Sequence, residues 1–204
     1  MIDWSYRVYV SVTIAVVFGM VSPAFAQNRV ENHAAGIAVT RPAGWSNATL
    51  AQVQANRERT KLSDPEFEAA LAARSTLPLI AFTKYAEPHE GLNPSVQITL
   101  RQALAGSPTQ LLTGALRVMQ RAFADLQIVE PVQASQIAGF SGAHVRVTYT
   151  LQNRSGMRAR VLSRLWLVPR GSLMFLIGMS GAEREPDVCE EEFATVLNSI
   201  TIER

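Results

Sequence analysis

The chain changes its hydrophobic rhythm several times. Residues 35–41 (AGIAVTR) alternate apolar and polar positions, the period of a half-buried strand. Pro42-Ala43-Gly44-Trp45 ends that pattern with turn chemistry and an aromatic anchor. Residues 47–58 are polar and weakly helical. Asp64-Pro65 then opens a better helix, a capping carboxylate followed by a first-turn proline, with Phe67 and Leu71 on one face. Residues 77–85 and 95–101 read as strands around the loop EPHEGLNP. The strongest helical period lies at 109–126, behind Ser107-Pro108. Leu112, Leu116, Met119 and Phe123 fall on one side of it, and Arg117, Gln120, Arg121 and Asp125 mostly on the other.

The C-terminal half is strand-rich. Residues 127–131 and 136–138 are short strand candidates. Residues 144–152, 157–168 and 172–179 form a three-stranded meander, turned at Asn153-Arg154-Ser155-Gly156 and at Pro169-Arg170-Gly171. Residues 186–199 close the chain as a helix. Asp187, Glu190, Glu191 and Glu192 lie in its early turns, and Phe193, Val196 and Leu197 on its apolar side. A sheet of this length must cover its faces, and the helices 109–126 and 186–199 are the available covers. The expectation is an α+β fold: an antiparallel sheet with a C-terminal meander, covered by amphipathic helices as an α/β/α sandwich.

The first residues follow a different logic. Positions 8–21 are an apolar run of about 14 residues, short of the roughly 20 that span a bilayer. Ser22-Pro23 breaks it, and Ala24-Phe25-Ala26 supplies a small-x-small cleavage site. Residues 1–26 are therefore expected to be a signal peptide cleaved after Ala26. That leaves one periplasmic or secreted domain, 27–204, with no transmembrane span. Retention of the segment as an anchor is the alternative.

Net charge is +2, so no global field draws the chain to nucleic acid or to an anionic membrane. Cys189 is the only cysteine, which excludes an intramolecular disulfide. In the closing helix it is expected to be a buried or half-buried thiol, with an intermolecular disulfide as the alternative.

Catalytic patterns are missing. Gly139-Phe140-Ser141-Gly142 and Gly178-Met179-Ser180-Gly181 each place the second glycine one position too early for a nucleophile elbow. His33, His89 and His144 are scattered, and only His89 has local acids, Glu87 and Glu90. No catalytic, metal or cofactor residue is assigned. One constellation is notable. Strand alternation puts Arg146, Arg158, Arg160 and Arg164 on one face of the first meander hairpin, with Arg154 at its tip. Guanidinium groups there suit an anionic partner through paired hydrogen bonds. The alternative is a face paired with the acidic closing helix.

Gly36-Ile37-Ala38-Val39 followed by Arg41-Pro42-Ala43-Gly44-Trp45 resembles the start of PsbP-like domains. The mid-chain helix, the Gly139–Gly142 turn, the meander and a helix ending Leu197-Asn198-Ser199-Ile200 resemble the remainder of that fold. Ran-binding proteins of the Mog type and many small bacterial exported proteins share it. The resemblance implies a non-catalytic binding or accessory protein, with no cofactor. Its expected partner is another envelope protein or an anionic envelope component, and not nucleic acid. An envelope hydrolase with a dispersed catalytic set and a carrier of a small apolar ligand are the alternatives.

Overall fold

Two small loop-closing devices start the helices. Thr49 accepts from the Gln52 amide while the Gln52 side chain accepts from the Thr49 N–H, which opens α1, Leu50–Arg59. Ser107 and Gln110 repeat the exchange at α2, Pro108–Ala122, with Pro108 in the first turn. The closing helix α3 runs Asp187–Ser199. These features come from a computed structural model, which describes residues 28–61, 77–89, 91–184 and 187–204. The expected export segment 1–26, the helix expected from Asp64, and Glu90 and Pro186 lie outside the described residues.

The strands are β1 Arg29–Asn32, β2 Ile37–Thr40, β3 Ser46–Asn47, β4 Thr60–Lys61, β5 Ile80–Thr83, β6 Ser95–Gln102, β7 Gln127–Ile137, β8 Phe140–Asn153, β9 Arg158–Arg170, β10 Leu173–Ala182 and β11 Thr201–Ile202. The main sheet is antiparallel in the order β3-β5-β6-β10-β9-β8-β4, with β7 also paired to β8. A small sheet, β1-β2-β11, stands apart from it. β8, β9 and β10 are the expected meander.

Alternation along these strands builds two cores. On one face Val145, Val147, Tyr149 and Val161 meet Leu112 and Leu116 of α2. On the other, Val96, Ile98, Phe175 and Ile177 meet Phe193 and Val196 of α3 and Val39 of the small sheet. Burial of these side chains stabilises each by roughly 1.5–3 kcal/mol relative to exposure. The helix-covered antiparallel sheet is the architecture expected above.

Several boundaries differ from expectation. The two short strands at 127–131 and 136–138 are one strand, β7. It runs through Pro131 because the pairing with β8 shifts register between Glu130 and Gln133. A proline is tolerated at such an irregularity on an outer strand, where its missing N–H breaks no ladder. The expected strand at 35–41 is confined to β2 and belongs to the small sheet, whose other members β1 and β11 are too short to show a period. Helix α2 stops four residues earlier than its apolar pattern, and Phe123 continues the apolar side beyond it, stacked 4.1 Å from Tyr149.

The turn residues of the N-terminal motif have physical tasks. Gly36 has a φ of 60°, and a Cβ there would lie 2.8 Å from the Arg170 guanidinium, which donates to the Ala35 carbonyl at 2.6 Å. Trp45 is buried, packs edge-on against Phe193 at 5.9 Å, and donates its indole N–H to Glu192 at 3.1 Å.

Candidate functional site

The register of β8 against β9 sets Arg146 opposite Arg164, Thr150 opposite Arg160, and Gln152 opposite Arg158. Arg146, Arg158, Arg160 and Arg164 therefore do share one face, the face on which α3 packs. Four like charges so close repel one another, and carboxylates answer three of them. Glu190 of α3 meets both Arg164 and Arg146, the latter at 3.2 Å. Glu130 of β7 meets Arg146 at 3.2 Å and the His144 ring at 3.1 Å. Arg160 reaches Asp125 at 2.9 Å, Glu183 at 3.0 Å, and the buried Thr148 hydroxyl at 2.8 Å.

Burial grades this set. The Arg164 side chain is only 10% exposed, and its guanidinium lies 5.3 Å from the centre of the Phe193 ring. Burial lowers its pKa, and Glu190 opposes that shift. Hydrogen bonding to His144 and then to Arg146 outweighs burial at Glu130 and holds its carboxyl below the ordinary range. At Asp125 the Thr150 hydroxyl bond, the Thr150 N–H and Arg160 do the same.

Arg158 stands outside this clasp. It is exposed, forms no ion pair among the described residues, and lines a cleft of about 230 Å³ with Lys61, Asp125, Thr150 and Gln152. Arg154 at the hairpin tip donates to the Glu58 carbonyl at 2.5 Å. Reading the sequence found the face and its acidic helix. It did not find Asp125, Glu130, Glu183 or Lys61, which reach the face from four separate places in the chain and carry no local motif.

The remaining chemical groups are also placed. Cys189 is buried on α3, with the Lys84 ammonium 3.9 Å away. Burial raises the thiol's pKa; Lys84 works against that and Glu192 adds to it. Lys84 itself is pushed down by burial, but its hydrogen bond to Glu192 at 2.8 Å, with the nearby Cys189 and Glu192 charges, outweighs that and raises its pKa. Ser180 and Gly181 lie within β10, and Gly139 is in the turn between β7 and β8.

A larger cleft of about 310 Å³ lies beside β5 and β6 and brings His89, Glu87 and Ser95 to its walls. These are the residue types a dispersed hydrolase would need, but they are not joined. Glu87 accepts from the His89 backbone and from Asn93, and the His89 ring stacks on Tyr85 at 4.6 Å. No hydrogen bond links the His89 ring to Ser95 or to a carboxylate among the described residues. The cleft is open, with polar and apolar walls, and does not match the closed cavity expected of an apolar-ligand carrier.

No protein-family model matches the chain, and no curated protein matches it by sequence. Solved structures do. Cyanobacterial PsbP (CyanoP) from Synechocystis sp. PCC 6803 superposes with a TM-score of 0.51 over 86% of this chain and 91% of its own, at 12% identity. The Ran-binding protein Mog1p of Saccharomyces cerevisiae gives 0.49 over 85% and 94%, at 11% identity. LpqN of Mycobacterium tuberculosis, described as involved in cell envelope biogenesis, gives 0.46 over 82% and 83%, at 14% identity. The chain thus has a PsbP-like α+β fold, as its N-terminal motif and meander led us to expect. At this identity the likeness concerns the fold, and function must be argued from the site.

Proposed function

We propose that this is an exported, non-catalytic binding protein. It receives an anionic group of an envelope protein or other envelope component at the Arg158–Lys61 end of its arginine face. The observation that carries the proposal is the division of the four arginines. Arg146, Arg160 and Arg164 are held by carboxylates of their own chain, while Arg158 is exposed on a cleft shared with Lys61. The clasped three fix α3 and the hairpin, and they give Arg158 a rigid base.

Arg158 can grip a carboxylate or phosphate through two parallel N–H bonds, and Lys61 adds a point charge. Asp125 lines the same cleft, but its oxygens are committed to Thr150 and Arg160. The Ala24-Phe25-Ala26 site supports export, and finding Gln27 at the mature N-terminus would establish it. The binding half is tested by reversing the charge of Arg158 and comparing capture of envelope components. Loss of the captured partner is expected, and undiminished capture refutes this site.

A further inference from the structure

The smaller cleft, of about 230 Å³, opens where the edge of the main sheet is interrupted. β4 pairs with β8 at Gln152 and Asn153, and β7 begins its own pairing with β8 at Thr148. Thr150 lies in the gap between them. The Asp125 carboxylate stands there in place of a neighbouring strand. It accepts from the Thr150 N–H at 3.1 Å and from the Thr150 hydroxyl at 2.6 Å. Beside this gap the cleft is lined by Lys61, Phe123, Asp125, Thr150, Gln152 and Arg158.

Register sets three of these residues in one row. Lys61 stands opposite Gln152, and Gln152 opposite Arg158, on three adjacent strands. Directly opposed residues share a face, and neighbouring strands lie about 4.8 Å apart, so the row runs cation, carboxamide, cation across about 10 Å of backbone. None of the three side chains makes a hydrogen bond or ion pair among the described residues. Lys61 and Arg158 are exposed and long enough to lean over the shorter, half-buried Gln152 between them. The next row, Thr150 opposite Arg160, is closed. Arg160 bonds Asp125 at 2.9 Å and Glu183 at 3.0 Å, so the one carboxylate of the cleft lining is held from within the chain.

Two unpaired cations with amide N–H donors between them match a group that carries two negative charges and only acceptor oxygens. A phosphate monoester has a charge of about −1.5 to −2 near pH 7 and three terminal oxygens. A carboxylate brings one charge and two oxygens in one plane, which leaves one cation unanswered. A phosphodiester, the linkage of a nucleic-acid backbone, likewise brings one charge. The half-buried Phe123 ring lines the same cleft and gives the alcohol half of an ester an apolar flank.

We propose that the anion received here is a phosphate monoester, held by the Arg158 fork, the Lys61 ammonium and the Gln152 side-chain N–H groups. This rests on the reading of the Arg158–Lys61 end as a binding site, and it adds Gln152 and the class of anion. The test is a titration of the protein, expressed from its full chain, with methyl phosphate, dimethyl phosphate and acetate. The Gln152 side-chain amide resonances are followed by NMR. Methyl phosphate should give saturable shifts, and the two monoanions should bind at least roughly ten-fold more weakly. Gln152→Leu keeps both cations and should weaken methyl phosphate by roughly ten-fold, the loss of one hydrogen bond to a charged group, without lowering the unfolding midpoint. Arg117→Glu should bind as the parent does.

The source of the phosphate is read by sedimentation with vesicles of phosphatidylcholine, alone or mixed equally with phosphatidic acid. Sedimentation that needs phosphatidic acid and is lost in Gln152→Leu identifies a lipid-anchored monoester, whereas binding of methyl phosphate alone identifies a soluble one. Either supports the assignment. Absence of shifts with methyl phosphate overturns it, as does equal affinity for acetate or dimethyl phosphate, or unchanged binding in Gln152→Leu. In those cases envelope capture separates the two claims. Capture that is still lost in Arg158→Glu leaves the binding site standing for another anion, and capture that persists removes both.

Discussion

Arg146 and Arg164 stand directly opposite each other on β8 and β9, and both reach the single carboxylate of Glu190 on α3. A like-charged pair in that position would destabilise the sheet on its own. Glu190 turns it into a tie between the meander and the closing helix. Removing Glu190 alone leaves Arg164 poorly solvated beside Phe193, so Glu190→Gln should lower stability by about 2 kcal/mol, between the values for exposed and buried pairs. Arg164→Met removes the charge along with its need for a partner and should cost less. In urea denaturation the double variant should be clearly more stable than the sum of the two losses predicts. Strict additivity would mean that Glu190 and Arg164 do not act as a pair.

Acid should loosen the same clasp. The Asp125 and Glu130 carboxyls are held below their ordinary pKa values by hydrogen bonds and by Arg160, Arg146 and His144. A carboxylate with a depressed folded-state pKa stabilises fully above its unfolded value, and that contribution disappears as pH falls through the folded value. Stability should therefore decline as pH drops from about 5 toward 2. Asp125→Asn should flatten this decline, measured as the urea midpoint against pH. An identical slope in the variant would show that Asp125 is not among the groups responsible.

Gly142 tests the packing of the hairpin. A Cβ built at Gly142 lies 2.7 Å from the Leu167 carbonyl oxygen, a backbone atom that cannot rotate away. Gly142→Ala should cost about 1–3 kcal/mol through forced separation of β8 and β9. Thermal unfolding that matches the parent protein would show that the strands can shift without loss.

Much of this arrangement was legible in the residues. The alternation of 144–152 and 157–168 identified both the hairpin and the arginine face, because one face of each strand is apolar and buried. The helix at 109–126 was visible from its apolar side, and the buried Cys189 from its place in the closing helix. The acids that clasp the arginines were less visible. Asp125 follows a helix, Glu183 follows a strand and Glu130 precedes a bulge, and only tertiary packing brings them together. The two-residue strands β3, β4 and β11 carry no period at all, yet β3 and β4 cover the strand edges beside the larger cleft. The cleft was equally hidden, since its polar groups come from α1, β5, β6 and the β8–β9 hairpin and converge only in the fold.

Capture from the envelope fraction tests the Arg158–Lys61 site most directly. The parent protein is compared with Arg158→Glu, Lys61→Glu and, as a control on the exposed side of α2, Arg117→Glu. All four should unfold at the same temperature, because none of these side chains joins the internal clasp. The parent and Arg117→Glu should retain the same partner, and both Arg158→Glu and Lys61→Glu should lose it. Equal capture by all four proteins would contradict a binding role for this end of the arginine face.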